Sequence, residues 1–221
     1  MRPRLISLFP LIALAFSSFA RADEAKINRF EKDIQAYEAA DKATPPPQGA
    51  ILFTGASSIR GWKSLAADFP GLTVINRGFG GSTVADAVHF ADRIVIPYRP
   101  KIIVLQAGGN DINGGRTPAQ VLTELKAFVE KVRAKLPDVK IIYLGINPSP
   151  ARWAQRDKQQ EVNTLAREFL ATQKNTIFAG LWAELIGADG LPRPELYVAD
   201  RLHPSAEGYQ QRAKALRPLL E

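Results

Sequence analysis

The sequence predicts an α/β fold, one domain wound on both faces of a five-stranded parallel sheet. Three observations carry that expectation. Five short runs of buried-strand character occur at 50–54, 72–76, 101–106, 139–144 and 176–179. Stretches with helical apolar spacing separate them, and such alternation puts a helix in each crossover of a parallel sheet. The first three runs are followed by glycine-bearing turns, at Gly55-Ala56, Gly78-Phe79-Gly80-Gly81 and Gly108-Gly109. These turns fall at the carboxyl ends of the strands, the edge where open α/β sheets bind ligands. No second core, internal repeat or low-complexity segment interrupts the pattern, so residues 49–221 are expected to form one domain.

Composition sets the outer bounds. The chain has 221 residues, 46% of them hydrophobic, which suits a globular domain with a substantial core and excludes a disordered chain. Residues 1–22 stand apart as a signal peptide. Arg2 and Arg4 make a positive start, 5–19 is largely apolar, and Ala20-Arg21-Ala22 fits a small-x-small cleavage site. An uncleaved anchor is the alternative, although the apolar run is short for a membrane span. Cleavage implies a periplasmic or extracellular address and no membrane span in the mature chain. Cysteine is absent, which removes disulfide and thiol chemistry. The formal charge of +7 falls without the three leader arginines to 26 basic against 22 acidic residues, or +4. The charges are interspersed, so a solvated surface is expected and a nucleic-acid partner is not.

Along the chain, 23–42 reads as a helix whose Ile27, Phe30, Ile34 and Tyr37 form one apolar stripe. Packing across the domain as an N-terminal arm is expected; a partner-binding helix is the other reading. Thr44-Pro45-Pro46-Pro47-Gln48-Gly49 stops it as a stiff connector, which completes a segment over 23–48. Further helices are expected over 59–68, over 83–95 with Val84, Val88, Ala91 and Val95 inward, and over 118–136, 154–172 and 205–220. The stretch 191–201 reads as irregular.

Chemistry concentrates in the loops. Ser57 and Ser58 sit where the first strand turns into a helix, and unpaired N–H groups there favour a developing oxyanion. An N-cap role is the plainer reading of either serine. The turn 78–83 lacks the third glycine of a dinucleotide fingerprint, because Thr83 occupies it, and no Walker lysine follows any loop, so no cofactor is expected. Asn110 follows two glycines at a strand end. Its amide suits an oxyanion donor as well as it suits a bond to its own turn.

The chain has only two histidines. His89 lies inside a helical stretch and reads as packed or half-exposed. His203, in Asp200-Arg201-Leu202-His203-Pro204, lies in a loop just before the last helix, with Asp200 three residues earlier. A carboxylate at that distance can accept from Nδ1–H and leave Nε2 free to take a serine proton. A structural turn with an incidental histidine is the alternative. Two histidines, no cysteine and no His-x-x-x-His pair argue against a zinc set, and no metal is expected.

Gly55-Ala56-Ser57, Gly81 within 76–81, Gly109-Asn110-Asp111 and Asp200-x-x-His203-Pro204 together resemble, in order, the four blocks of the SGNH/GDSL hydrolases. The branch they are most similar to contains the platelet-activating-factor acetylhydrolase catalytic subunits. The resemblance covers about Gly49 to the C-terminus. It implies a flavodoxin-like α/β/α sandwich and metal-free ester hydrolysis. It also implies Ser57 as nucleophile, His203 as base, Asp200 as its orienting acid, and Ser57 N–H, Gly81 N–H and the Asn110 amide as oxyanion hole. Asp111 matches a frequent family residue of structural character. Ala56 stands where the family has Asp, which removes no triad member but changes how the serine loop is held. Ile59 breaks the G-x-S-x-G pattern of ordinary α/β-hydrolases.

The function expected is therefore an exported serine esterase acting on a small-molecule or carbohydrate ester. A catalytically silent carbohydrate- or lipid-binding domain on the same fold is one alternative. Acyl transfer to a sugar hydroxyl, by the same residues, is another. No apolar insertion supplies a groove or lid, and 147–158 carries Arg152, Arg156 and Lys158, so acetyl and other short acyl groups are expected. Trp62, Arg152 and Trp153 are candidates to line the pocket.

Overall fold

A computed structural model describes residues 29–221. The expected leader, and the helix expected to start at residue 23, lie outside the described residues up to position 28. From 29 to 43 the chain is helical (α1).

Five parallel strands form one sheet in the order β2-β1-β3-β4-β5: β1 Ile51–Gly55, β2 Val74–Gly78, β3 Ile102–Gln106, β4 Lys140–Leu144 and β5 Thr176–Ala179. The main helices between and after them are α2 Ser57–Arg60, α3 Leu65–Asp68, α4 Val84–Ile94, α5 Gly109–Asn113, α6 Pro118–Lys135, α7 Arg156–Ala171 and α8 Ala206–Leu220. The chain winds outward from β1 to β2, then returns across β1 to β3. Strand order therefore reverses between β1 and β3, and a crevice opens there at the carboxyl edge.

Side chains alternate along each strand, so the sheet buries two cores. Leu52, Ile103, Leu105, Ile141 and Tyr143 pack with α4, α6 and α7. Ile51, Phe53, Val104, Ile142 and Leu144 pack on the other face with Ile59, Trp62, Phe69 and the α8 residues Ala213, Leu216 and Leu220. The three-layer α/β/α sandwich expected from the resemblance is the fold observed. Among the described residues no helix is long and apolar enough to cross a membrane.

Helix α1 packs on the first core. Phe30 and Ile34 are buried, Phe30 meets Phe79 edge-on at 5.1 Å, and Arg93 holds Glu31 at 2.8 Å and Glu38 at 2.6 Å. The described part of its stripe, Phe30, Ile34 and Tyr37, is thus covered by the domain.

Several local expectations are corrected. The helix expected over 59–68 is two short helices broken around Gly61 and Trp62. A Cβ at position 61 would meet the Tyr209 hydroxyl at 2.9 Å, and Trp62, 1% exposed, turns into the core with its Nε1 donating to Asp68 at 2.6 Å. The second strand runs two residues later than expected. The inward face of α4 is Val84, Ala87, Phe90, Ala91 and Ile94, while Val88 is half-buried and His89 is exposed. Thr83 caps this helix in a reciprocal box with Asp86. Residues 109–113, expected as loop, form α5.

Candidate active site

The first element of the site is a backbone made for close approach. Gly55 ends β1 at φ +125°, and a Cβ there would lie 2.0 Å from the Gln106 carbonyl oxygen. Only glycine fits that conformation and that contact. The Ala56 N–H then donates to the same carbonyl at 2.9 Å, and the chain enters α2 at Ser57. Ser57 is thereby held at the switch-point edge, with its side chain half-buried.

The second element approaches from the other end of the chain. Ser205 caps α8 by accepting from the Gly208 N–H at 3.1 Å, and the Val198 N–H donates to the His203 carbonyl at 2.9 Å. Between them, one oxygen of Asp200 accepts from the Leu202 and His203 N–H groups, both at 2.9 Å. Its other oxygen lies 2.6 Å from His203 Nδ1. These hydrogen bonds, the one to the imidazole first, pull the Asp200 carboxyl down to about 2. An ionised carboxylate only accepts, so in the neutral ring Nδ1 carries the proton and Nε2 keeps its lone pair. Ser57 Oγ lies 2.7 Å from that Nε2 and can donate to it.

The third element is the turn after β2 and the start of α5. Gly81, at φ +80°, lines the same cavity as Ser57 and His203. The Asn110 amide donates to the Ser82 carbonyl at 3.0 Å, which ties the two loops together and leaves a second N–H on the amide. Arg152 donates to Asn110 Oδ1 at 2.9 Å and fixes which way the amide faces. Behind them, Asp111, 1% exposed, accepts from the Val84 N–H at 3.0 Å. Burial raises the Asp111 and Glu124 carboxyls, Glu124 up to about 7. Each has one buried oxygen without a hydrogen-bond partner, and the nearby Asp111 charge adds to the rise at Glu124.

All five site residues expected from the sequence — Ser57, Gly81, Asn110, Asp200 and His203 — are drawn from four separate loops. Four of them line one cavity of about 390 Å³, and Asp200 supports His203 from behind. Ser58 also lines it, but its carbonyl is engaged by the Tyr209 hydroxyl at 3.0 Å and no bond joins it to His203. Of the pocket candidates, Arg152 lines the cavity. Trp62 does not, being core. Trp153 stacks on Trp182 at 6.3 Å beside a separate hollow.

The floor holds residues that sequence reasoning missed: Gln106, Asn147, Gln159 and Arg212. Two signals could have found them. Gln106 is the one polar residue closing the run Ile102 to Leu105, and Arg212 falls on the inward face of α8 with Tyr209, Ala213 and Leu216.

A model of the GDSL-like lipase/acylhydrolase family matches residues 21–211. Platelet-activating factor acetylhydrolase IB subunit alpha1 of Homo sapiens is 31% identical over 166 residues, covering 72% of this chain and 67% of that protein. Esterase TesA of Pseudomonas aeruginosa is 25% identical over 175 residues, covering 76% and 81%. In structure, a GDSL-like lipase from Bacteroides thetaiotaomicron superposes with a TM-score of 0.71 at 22% identity over 85% of this chain and 96% of that one. A carbohydrate esterase family 3 protein from Talaromyces cellulolyticus superposes with a TM-score of 0.60 at 19% identity over 77% and 95%. Those two structures speak for the fold, and the sequence matches speak for the chemistry. The chain belongs to the GDSL-like lipase/acylhydrolase family and is a carboxylic ester hydrolase.

Proposed function

We propose that this protein is an exported serine esterase that removes acetyl and other short acyl groups through Ser57, His203 and Asp200. The observation that carries the reading is the unbroken chain from Ser57 Oγ to His203 Nε2 at 2.7 Å and from His203 Nδ1 to Asp200 at 2.6 Å. Ser57 attacks the ester carbonyl as Nε2 takes its proton. The carbonyl oxygen becomes an oxyanion facing the Ser57 and Gly81 N–H groups and the free Asn110 N–H. Each well-placed donor lowers the barrier by about 3 kcal/mol. Collapse expels the alcohol, which receives the proton from His203. Water, deprotonated by the same imidazole, then releases the acid and restores Ser57.

The cavity supports the short acyl preference. Its lining is dominated by glycine, amide, serine and arginine side chains, with Ile146 and Leu202 as the larger aliphatic members. A buried methylene adds about 0.8 kcal/mol only where apolar surface receives it. Export rests on the sequence of residues 1–22. Hydrolysis of nitrophenyl esters from acetate to palmitate tests the preference. The expected kcat/KM is highest at acetate or butyrate; a maximum at decanoate or longer contradicts it.

A further inference from the structure

The floor of the cavity contains a charge that the esterase chemistry does not use. Arg212 is 3% exposed yet lines the cavity that holds Ser57 and His203. Its Nη1 reaches only the Gln106 amide oxygen, at 3.3 Å, and its Nε has no hydrogen-bond partner. No described carboxylate neutralises it; the ionisable groups that bear on it are the phenols of Tyr197 and Tyr209. A buried guanidinium without an acid is costly, and proteins almost always pair one. Other unmet polar atoms line the same cavity. Gln159, 1% exposed, has an unpartnered Oε1, and both polar atoms of the Asn147 side chain are buried without partners. Both residues line the same cavity. A cation with an idle N–H, in a cavity that also holds unpaired amide atoms, is a receptor for a planar oxyacid group and a neighbouring polar atom.

Position on the fold tells which part of the ester meets it. The donors expected to face the oxyanion, Gly81 and Asn110, belong to the loops after β2 and β3, with Arg152 beside them. Arg212 lies on α8, the helix that begins just after His203, and Gln106 shares a sheet face with Ile102 and Val104, against which α8 packs. The imidazole hands its proton to the departing oxygen, so the alcohol portion of the ester occupies the His203 side of Ser57.

We propose that Arg212, with Gln106, Asn147 and Gln159, forms a subsite for a carboxylate carried on the alcohol portion of the substrate. The substrate class is thus a short acyl ester of a hydroxy acid. This assignment rests on the esterase reading above and narrows it. No new bond chemistry is involved: the carboxylate binds, the ester is cleaved at Ser57, and the hydroxy acid leaves with its carboxylate intact.

The test uses matched acetates with the purified protein. Acetoxypropanoate, acetoxybutanoate and acetoxypentanoate are each compared with their primary amides by acetate release, and nitrophenyl acetate is run alongside. For at least one chain length the acid is expected to exceed its amide in kcat/KM by about tenfold or more, the usual scale for a buried charge-assisted contact. In Arg212→Gln that ratio is expected to fall to about one. Acids no better than amides at every length, with nitrophenyl acetate still hydrolysed, overturn the subsite and leave the esterase reading standing. A preference for the acid that survives in folded Arg212→Gln overturns the role of Arg212. Failure to hydrolyse any of the esters overturns the esterase reading and this inference with it. If Arg212→Gln does not fold, the wild-type protein still decides. For at least one of hydroxypropanoate, hydroxybutanoate and hydroxypentanoate, the acid must then compete against nitrophenyl acetate far better than its amide, and equal inhibition by acid and amide at every length contradicts the subsite.

Discussion

Asp200 shows how one side chain can do two jobs. One oxygen closes the turn on two backbone N–H groups while the other fixes the imidazole. Its carboxyl, held down to about 2, keeps its charge until strongly acid conditions. Whatever this bonding contributes to stability is present above the ordinary carboxylate range and fades only as pH falls through it toward that value. The carboxylate is half-exposed, so solvent keeps the contribution small. Asp200→Asn retains the turn but can no longer enforce the tautomer. Its kcat is expected to fall by roughly 10³–10⁴-fold with an unchanged circular dichroism spectrum. Kinetics equal to wild type would remove Asp200 from the mechanism. Arg152 acts more remotely, through Asn110 Oδ1. Arg152→Met is expected to lower kcat about tenfold with little change in KM, because a charge-assisted bond to a donor group is lost. A pure KM effect would mean that Arg152 binds substrate and does not orient Asn110.

At the scale of elements, the end of β1 and the start of α4 decide whether the site assembles. Gly55→Ala forces a side chain into the Gln106 carbonyl at a φ that alanine rarely adopts. Strain and overpacking together are expected to cost roughly 2–5 kcal/mol, read as a lowered midpoint in urea unfolding. A midpoint within error of wild type would contradict the close approach. Behind α4, the carboxyls of Asp111 and Glu124 are raised by burial, Glu124 to about 7 from its ordinary 4.5. In that window the folded state holds a proton that the unfolded state has released. Stability therefore declines as pH rises from about 4.5 to about 7. Glu124→Gln keeps the size, removes the titration and is expected to flatten this slope; an unchanged slope in thermal unfolding against pH would place the proton elsewhere.

These elements also show what the sequence makes legible. Strands β3 and β5 and helices α6 and α8 fall within a residue of their expected limits, because apolar spacing, Pro118 and the Ser205 cap mark them locally. The helix over 59–68 misleads because its break depends on Tyr209, nearly 150 residues away. The serine, histidine and acid are visible as residue types beside glycines and prolines. The floor is harder to see, since a lone Gln106 or Arg212 acquires meaning only when β3, α7 and α8 converge.

Across the whole molecule, topology brings residues 57, 110 and 203 together. The reversal of strand order between β1 and β3 opens the crevice, and α8 returns the C-terminal loop to it. Helix α1 packs Phe30, Ile34 and Tyr37 against the first core, so residues 29–43 belong to the folded body. Residues 1–22 stand outside the described part and carry the prediction about address. Exported protein is expected to begin at Asp23 on N-terminal sequencing; a mature chain beginning at Met1 would contradict cleavage.

Ser57, and not its neighbour Ser58, is expected to be the nucleophile activated by His203. Labelling with a fluorophosphonate, followed by mass spectrometry of the modified peptide, reads it directly. One adduct is expected, on Ser57, abolished in Ser57→Ala and in strong decline in His203→Ala, while Ser58→Ala labels like wild type. An adduct on Ser58, or labelling that survives in Ser57→Ala, would contradict it.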